Sequence, residues 1–348
     1  MDMETLLLLA SLASAATVQA PVPELPAVAG ARLYSRMCAV CHGPNAEGYK
    51  ADNAPAIGRA AYLATVSDDF LRNAIADGRA GTTMSAWSAN RAGPLGNADI
   101  EAVVAYLRTF DKAEHPALDE RPVGGDPTRG KTLFAANCQK CHGPDGRGGD
   151  AVAIGNPALL ADAPNGLLRH AIKEGRGELM PAFGKTLEDA GIEDVMAWLR
   201  VLQSSRTKTE PLIAAPAPPL PLGACPAYPK GVEPVGFSTY PAVVGVEAVK
   251  AQFDLKAKMC LLDARAQSDY LNEHISGAVS VPFYDPAPYV AALPKDTWLV
   301  CYCACPHAES GHLAQKLIAA GFKKVTVLDE GINVWKKQKY PIKRGPDP

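Results

Sequence analysis

The sequence predicts three domains: two small all-α units in tandem, then an α/β unit with a mostly parallel sheet. Three observations carry this. A long segment of the first 200 residues repeats itself, a proline-rich stretch follows the repeat, and beyond it the apolar pattern changes from helical periodicity to short buried runs. The chain has 348 residues, enough for two or three separate cores.

The repeat is specific. Gly30, Leu33, Tyr34, Cys38, Cys41, His42, Gly43, Pro44 and Gly48 match Gly130, Leu133, Phe134, Cys138, Cys141, His142, Gly143, Pro144 and Gly148. Further on, Gly78-Arg79 matches Gly175-Arg176, Met84 matches Met180, Trp87 matches Phe183, and Ala105-Tyr106-Leu107-Arg108 matches Ala197-Trp198-Leu199-Arg200. The shortening offset is that of a tandem duplication with small loop deletions. Each copy opens on a helix leading into its cysteines, as over Ala31 to Cys38, and closes on another, as over Asp99 to Thr109. Between these lie Gly- and Pro-rich loops with few large apolar residues, so each unit needs a filling group to be stable.

The expected bounds are a signal segment over 1–20, helical domains over 28–112 and 129–204 joined by a linker at 113–128, a Pro-rich linker over 205–236, and the α/β domain over 237–343. Leu6 to Leu12 is an apolar run followed by small residues, the pattern of an export signal, although Asp2 and Glu4 stand where basic residues are usual. It is too short to span a bilayer. Eight prolines between 203 and 234 point to a semi-rigid spacer. Met259 to Leu262, Trp298 to Tyr302 and Val325 to Leu328 read as buried strands, and Ser310 to Ala320 as a helix ending at Gly321.

A formal net charge of −2 without blocks of like charge argues against nucleic acid and against an electrostatic membrane anchor. Four of the nine cysteines form two C-x-x-C-H motifs: Cys38, Cys41, His42 and Cys138, Cys141, His142. This spacing lets two thiols on one helix bond a haem while the adjacent imidazole reaches the iron, so the expected cofactors are two haem c. A zinc or redox pair is the competing reading, and the His and the repetition count against it. The sixth iron ligand has to come from the far side of each haem. Met84 and Met180, aligned by the repeat, are the candidates; Met196 and His170 are rivals for the second. His/Met ligation leaves no open position and favours electron transfer. Both units resemble class I cytochromes c, which implies that family's fold and haem crevice. The first departs in having Met84-Ser85 where the second has Met180-Pro181.

The remaining cysteines, Cys225, Cys260, Cys301, Cys303 and Cys305, are odd in number and crowded, which suggests thiol chemistry rather than a disulfide framework. Asp263-Ala264-Arg265, His274 to Ala278, Tyr302-Cys303 and Asp329 to Trp335 together resemble the rhodanese (sulfurtransferase) family. The resemblance implies Cys303 as a persulfide nucleophile at the start of a loop before a helix, with Asp263 and Arg265 in support. The loop carries Ala308 and Glu309 where an Arg is usual in that family. A carboxylate there disfavours a thiolate and an anionic donor, while a protonated His307 could offset it. The expected function is a periplasmic dihaem electron carrier linked to sulfane-sulfur chemistry. Its expected partners are a redox donor and acceptor, a membrane oxidase among the options, and a small sulfur donor, without nucleic acid. The alternative is an electron-transfer subunit of a respiratory complex whose third domain serves docking or assembly.

Overall fold

The computed structural model describes the chain except residues 1–23, 50, 178, 204–210, 212, 223–227, 229–230 and 305. The expected signal segment, Cys225 and Cys305 therefore lie outside the described residues. Among those described, no helix is long and apolar enough to cross a membrane.

The first helical unit runs α1 (Pro26–Met37), α2 (Ala39–His42), α3 (Ala60–Leu63), α4 (Asp68–Asp77) and α5 (Asn97–Arg108). The second repeats it as α6 (Pro127–Asn137), α7 (Gln139–His142), α8 (Pro157–Asp162), α9 (Asn165–Glu174) and α10 (Gly184–Leu202), the last broken at Glu188. Local chemistry starts these helices. Ser67 accepts the Phe70 N–H at the head of α4, and Asp126 accepts those of Thr128 and Arg129 ahead of Pro127 in α6. In each unit the first and last long helices cross, and a glycine makes the crossing possible. A Cβ on Gly30 would stand 1.9 Å from the Ala102 carbonyl oxygen, and one on Gly130 1.9 Å from that of Asp194. Beside the crossings Tyr34 packs on Tyr106 and Phe134 on Trp198, at 5.1 and 4.4 Å between ring centres.

The third unit is α/β: β1 (Val243–Val244), α11 (Val246–Asp254), β2 (Met259–Asp263), α12 (Gln267–Asn272), β3 (His274–Ile275), β4 (Val279–Ser280), α13 (Ala287–Val290), β5 (Trp298–Tyr302), α14 (Ala308–Ala319), β6 (Val325–Leu328), α15 (Gly331–Lys337) and β7 (Ile342–Lys343). Five strands form a parallel sheet in the order β1-β6-β5-β2-β4, and β3 pairs antiparallel with β7. β2 and β6 are buried throughout, as continuous apolar runs require in a sheet covered on both faces. Cys303 follows β5 directly, at the carboxyl end of a central strand, where sites in such sheets gather.

The proline-rich segment is not a free spacer along its described length. The backbone N–H of Asn97 donates to the Ile213 carbonyl, Asn90 pairs with Pro211 and Ile213, and Ala217 donates to Gly93. The Leu220 N–H then reaches the Gln267 side chain on α12. It straps the first unit to the third. Cys260 is disulfide-bonded, so it does not belong to the free thiols among the five later cysteines; connectivity is not legible from spacing.

Candidate haem crevices and the Cys303 loop

The short helices α2 and α7 each follow the first cysteine of a pair, carry the second, and end on His42 and His142, which are 6% and 7% exposed. Each imidazole bonds a loop carbonyl through Nδ1: His42 to Pro55 at 2.9 Å and His142 to Val152 at 2.8 Å. That bond places the ring proton on Nδ1 and leaves Nε2 unprotonated for a metal. Burial lowers both histidine pKa values, only partly opposed by these carbonyl bonds, so the neutral ligand form prevails.

Burial also pushes the thiols up, Cys38 to about 12 and Cys138 to about 11. For Cys41 burial acts first, with Glu309, Asp52 and Cys303 adding to it. Among the described residues no group of three or more His, Cys, Asp and Glu side chains is gathered to hold a metal ion, so this donor set fits covalent capture of a haem better than a zinc site. Cys38, Cys41, Cys138 and Cys141 are all free thiols here.

The candidate sixth ligands occupy matching loops. The Arg79 N–H donates to the Met84 carbonyl at 2.9 Å, and that of Arg176 to the Met180 carbonyl at 2.8 Å. Met84 packs on the core at its edge. Of the rivals, Met196 is wholly buried within α10, consistent with core packing, and His170 lies on α9. The crevices also hold cations in want of an acceptor. Arg79 forms a buried pair with Asp162 at 2.8 Å, yet its Nη2 has no partner. Arg176 is half-buried against Thr65, Ala61 and the Tyr62 ring, and burial lowers its pKa. An orphaned buried guanidinium nitrogen and a desolvated Arg are what an anionic group such as a haem propionate would satisfy. The residues present fit the cofactor.

At the third site, Cys303 is 1% exposed, and its Sγ lies 3.3 Å from the Ser310 Oγ on α14. Glu309 is buried beside it, and burial, then Cys303, push its carboxyl well above the usual range. The carboxyl that replaces the family's Arg is therefore turned inward. His307 caps α14 in a left-handed conformation and pairs with Asp329 at 2.6 Å. Asp263 and Arg265 form a buried ion pair at 2.6 Å; Tyr302 donates to Asp263 at 2.7 Å, and Arg265 to the Glu273 carbonyl. This pair ties β2 to β5 and to the residue before β3.

Sequence reasoning did not find Ser85, Ser268 and Asp269. The Ser85 hydroxyl donates to Asp269 at 2.5 Å, and the Ser268 hydroxyl to the Ala86 carbonyl at 2.6 Å. The single signal was Ser85 standing where the second copy has Pro181.

The fold and these sites define a dihaem c-type cytochrome with an appended α/β rhodanese-like domain. Three family models match in succession: Cytochrome c over residues 27–111, Cytochrome C oxidase, cbb3-type, subunit III over 125–199, and Rhodanese-like domain over 246–338. The chain thus comprises two cytochrome c domains and a rhodanese-like domain, and it binds two haem c. A Cbb3-type cytochrome c oxidase subunit CcoP of Azospirillum brasilense is 29% identical over 51% of this chain and 62% of its own length. That of Rubrivivax gelatinosus is 30% identical over 51% and 55%. A cytochrome bc1 complex cytochrome c subunit of Mycobacterium bovis is 27% identical over 51% and 64%. The chain thus spans less than two thirds of these relatives. A rhodanese-like domain from Anabaena is 26% identical, with a TM-score of 0.28, covering 29% of this chain and 78% of that one.

Proposed function

We propose that the protein is a periplasmic electron carrier in which Cys38 and Cys41 bind one haem and Cys138 and Cys141 the other, with domain bounds 28–112, 129–204 and 237–343. The observation that carries this is the paired C-x-x-C-H motif with each His held by a carbonyl at Nδ1. His42 and Met84 would hold the iron of the first haem, and His142 and Met180 that of the second. Haem c supplies one-electron exchange, and a His/Met pair sets it at high potential. Two closed coordination positions suit electron carriage better than chemistry on a bound substrate. The disulfide at Cys260 supports an oxidising compartment.

In the third domain Cys303 is the acceptor for sulfane sulfur. Its thiolate takes the terminal sulfur of a persulfide or polysulfide donor, and the donor leaves as the shorter thiolate. Ser310 bonds the sulfur from the first turn of α14, whose backbone N–H groups favour negative charge there. A second reading is favoured by the relatives, which are named as subunits of a cbb3 oxidase and a bc1 complex. In it the protein serves a respiratory complex, and the third domain docks rather than reacts. Native mass spectrometry tests both. Two haems per chain are expected, with one added sulfur after polysulfide that is lost in Cys303→Ser. Fewer than two haems overturns the carrier. No added sulfur leaves the respiratory reading, for which co-purification with a membrane oxidase or reductase is the check.

A further inference from the structure

The first crevice meets the third domain on both of its rims. On the histidine side α14 packs against α2, and Cys41 lies within electrostatic reach of Glu309 and Cys303. On the methionine side the contacts gather on the residues after Met84. Ser85 donates to Asp269, Ser268 donates to the Ala86 carbonyl, and Gln267 donates to that of Ala92 at 3.0 Å. Trp87 leans on Tyr284 with ring centres 5.5 Å apart. Ser85 is buried as a result, at 5% exposure. In the second domain the matching Pro181 and Ala182 are exposed, and none of the described hydrogen bonds joins them to another domain.

We propose that the rhodanese-like domain is a clamp on the distal loop of the first haem, and that Ser268 and Asp269, early in α12, are positioning residues for Met84. The proposal rests on Met84 being the sixth ligand. It deepens that reading by naming what holds the ligand in place. For Met84 to swing away from the iron, its loop must move, and Ser85 then leaves the Asp269 carboxylate. A hydrogen bond to a charged group is among the stronger ones, and breaking it strands a half-buried carboxylate. Proline at this position, as in the second copy, could donate nothing. The serine is therefore the residue type that a third domain can grip. The strap of residues 213–222 supports the same geometry, since it binds Asn97 at one end and Gln267 at the other.

The test uses the full-length ferric dihaem protein with cyanide, which binds iron only after methionine leaves, so its rate reads loop opening. Two phases are expected, the slow one from the first haem; Met180→Ala, which removes the barrier in the second, assigns them. Asp269→Ala should speed the slow phase by about tenfold or more, the loss of one charged hydrogen bond, and leave the fast phase unchanged. Asp269→Asn, which keeps an acceptor oxygen but loses the charge, should fall between the wild type and Asp269→Ala. Ser85→Ala should match Asp269→Ala, and the double variant should add nothing further. Because Ser85→Ala leaves the third domain untouched, it guards against Asp269→Ala merely unfolding that domain. A slow phase that stays within about twofold in both single variants overturns the clamp. Absence of the near-infrared sulfur-to-iron band in the wild type overturns the ligand assignment instead, so the two failures are distinguishable.

Discussion

The two cytochrome domains descend from one pattern and differ in what surrounds it. Inside each, the distances at the crossing glycine, the His–carbonyl bond and the Arg-to-Met backbone bond agree to about a tenth of an ångström. Outside, the first crevice is closed by α12 and α14 of the rhodanese-like domain, while the second has Cys141, Pro181 and Ala182 open to solvent. The duplication has kept the parts that a covalent haem needs and has let the rims diverge. A rim is where a cytochrome meets its partner. The first domain's methionine loop meets the rhodanese-like domain; the second's meets the first domain through Arg176, and only its Pro181-Ala182 edge stays open.

The largest effects should fall on the shared interior. Gly30→Val and Gly130→Val each push a side chain into a carbonyl oxygen across the helix crossing. Overpacking of this severity is expected to cost about 3 kcal/mol or more. Each variant should lose the haem of its own domain, read as one haem by intact mass. Two retained haems and an unchanged melting temperature would show that the crossing is not what holds the domain.

Much of that interior was legible because it is local or repeated. The C-x-x-C-H spacing, the aligned methionines and the runs at 298–302 and 325–328 are patterns within a few residues. The closure of the first crevice was not legible, since Ser85 and Asp269 lie 184 positions apart and no local pattern encodes their meeting. The proline count suggested stiffness for the linker, but not that residues 213–222 would lie along the first domain. The inward turn of Glu309 was equally hidden: composition shows a carboxylate, and only packing shows that it is buried.

A second, somewhat smaller effect separates the domains by ligand. Met84→His and Met180→His should each lower the potential of one haem by on the order of 0.1 V or more, within the ~0.8 V that axial ligation spans. Redox titration with visible and near-infrared detection reads this, and each change should remove half of the sulfur-to-iron band. If Met180→His leaves the band whole, His170 or Met196 is the ligand of the second haem.

The covered rim carries a pH signature of its own. The folded-state pKa of Glu309 is raised above its ordinary 4.5, first by burial and then by Cys303. The folded protein therefore holds a proton there that the unfolded chain releases. Stability from this group is greatest below about pH 4.5 and falls as pH rises toward the folded-state pKa. Glu309→Gln needs no proton and should raise the stability of the rhodanese-like domain at pH 7 by roughly 1–3 kcal/mol. The gain should vanish near pH 4. Denaturant unfolding at the two pH values checks the sign; a gain equal at both would mean that the carboxyl is not the source.

The smallest expected effect lies at the open rim and bears most directly on the comparison. The first domain restrains its methionine loop with a hydrogen bond from another domain, whereas the second has Pro181 at the same place. A proline restrains a loop by narrowing the conformations of its open state, a contribution of about 0.4–1 kcal/mol, which corresponds to roughly two- to fivefold in a rate. Pro181→Ser should therefore speed cyanide binding at the second haem by no more than about fivefold. The new hydroxyl gains nothing in return, because this segment faces water and not α12. The slow phase of the first haem should not move. An acceleration at the second haem as large as that of Asp269→Ala at the first would mean that loop stiffness alone holds methionine in both domains. The contact with the rhodanese-like domain would then be incidental to the ligand.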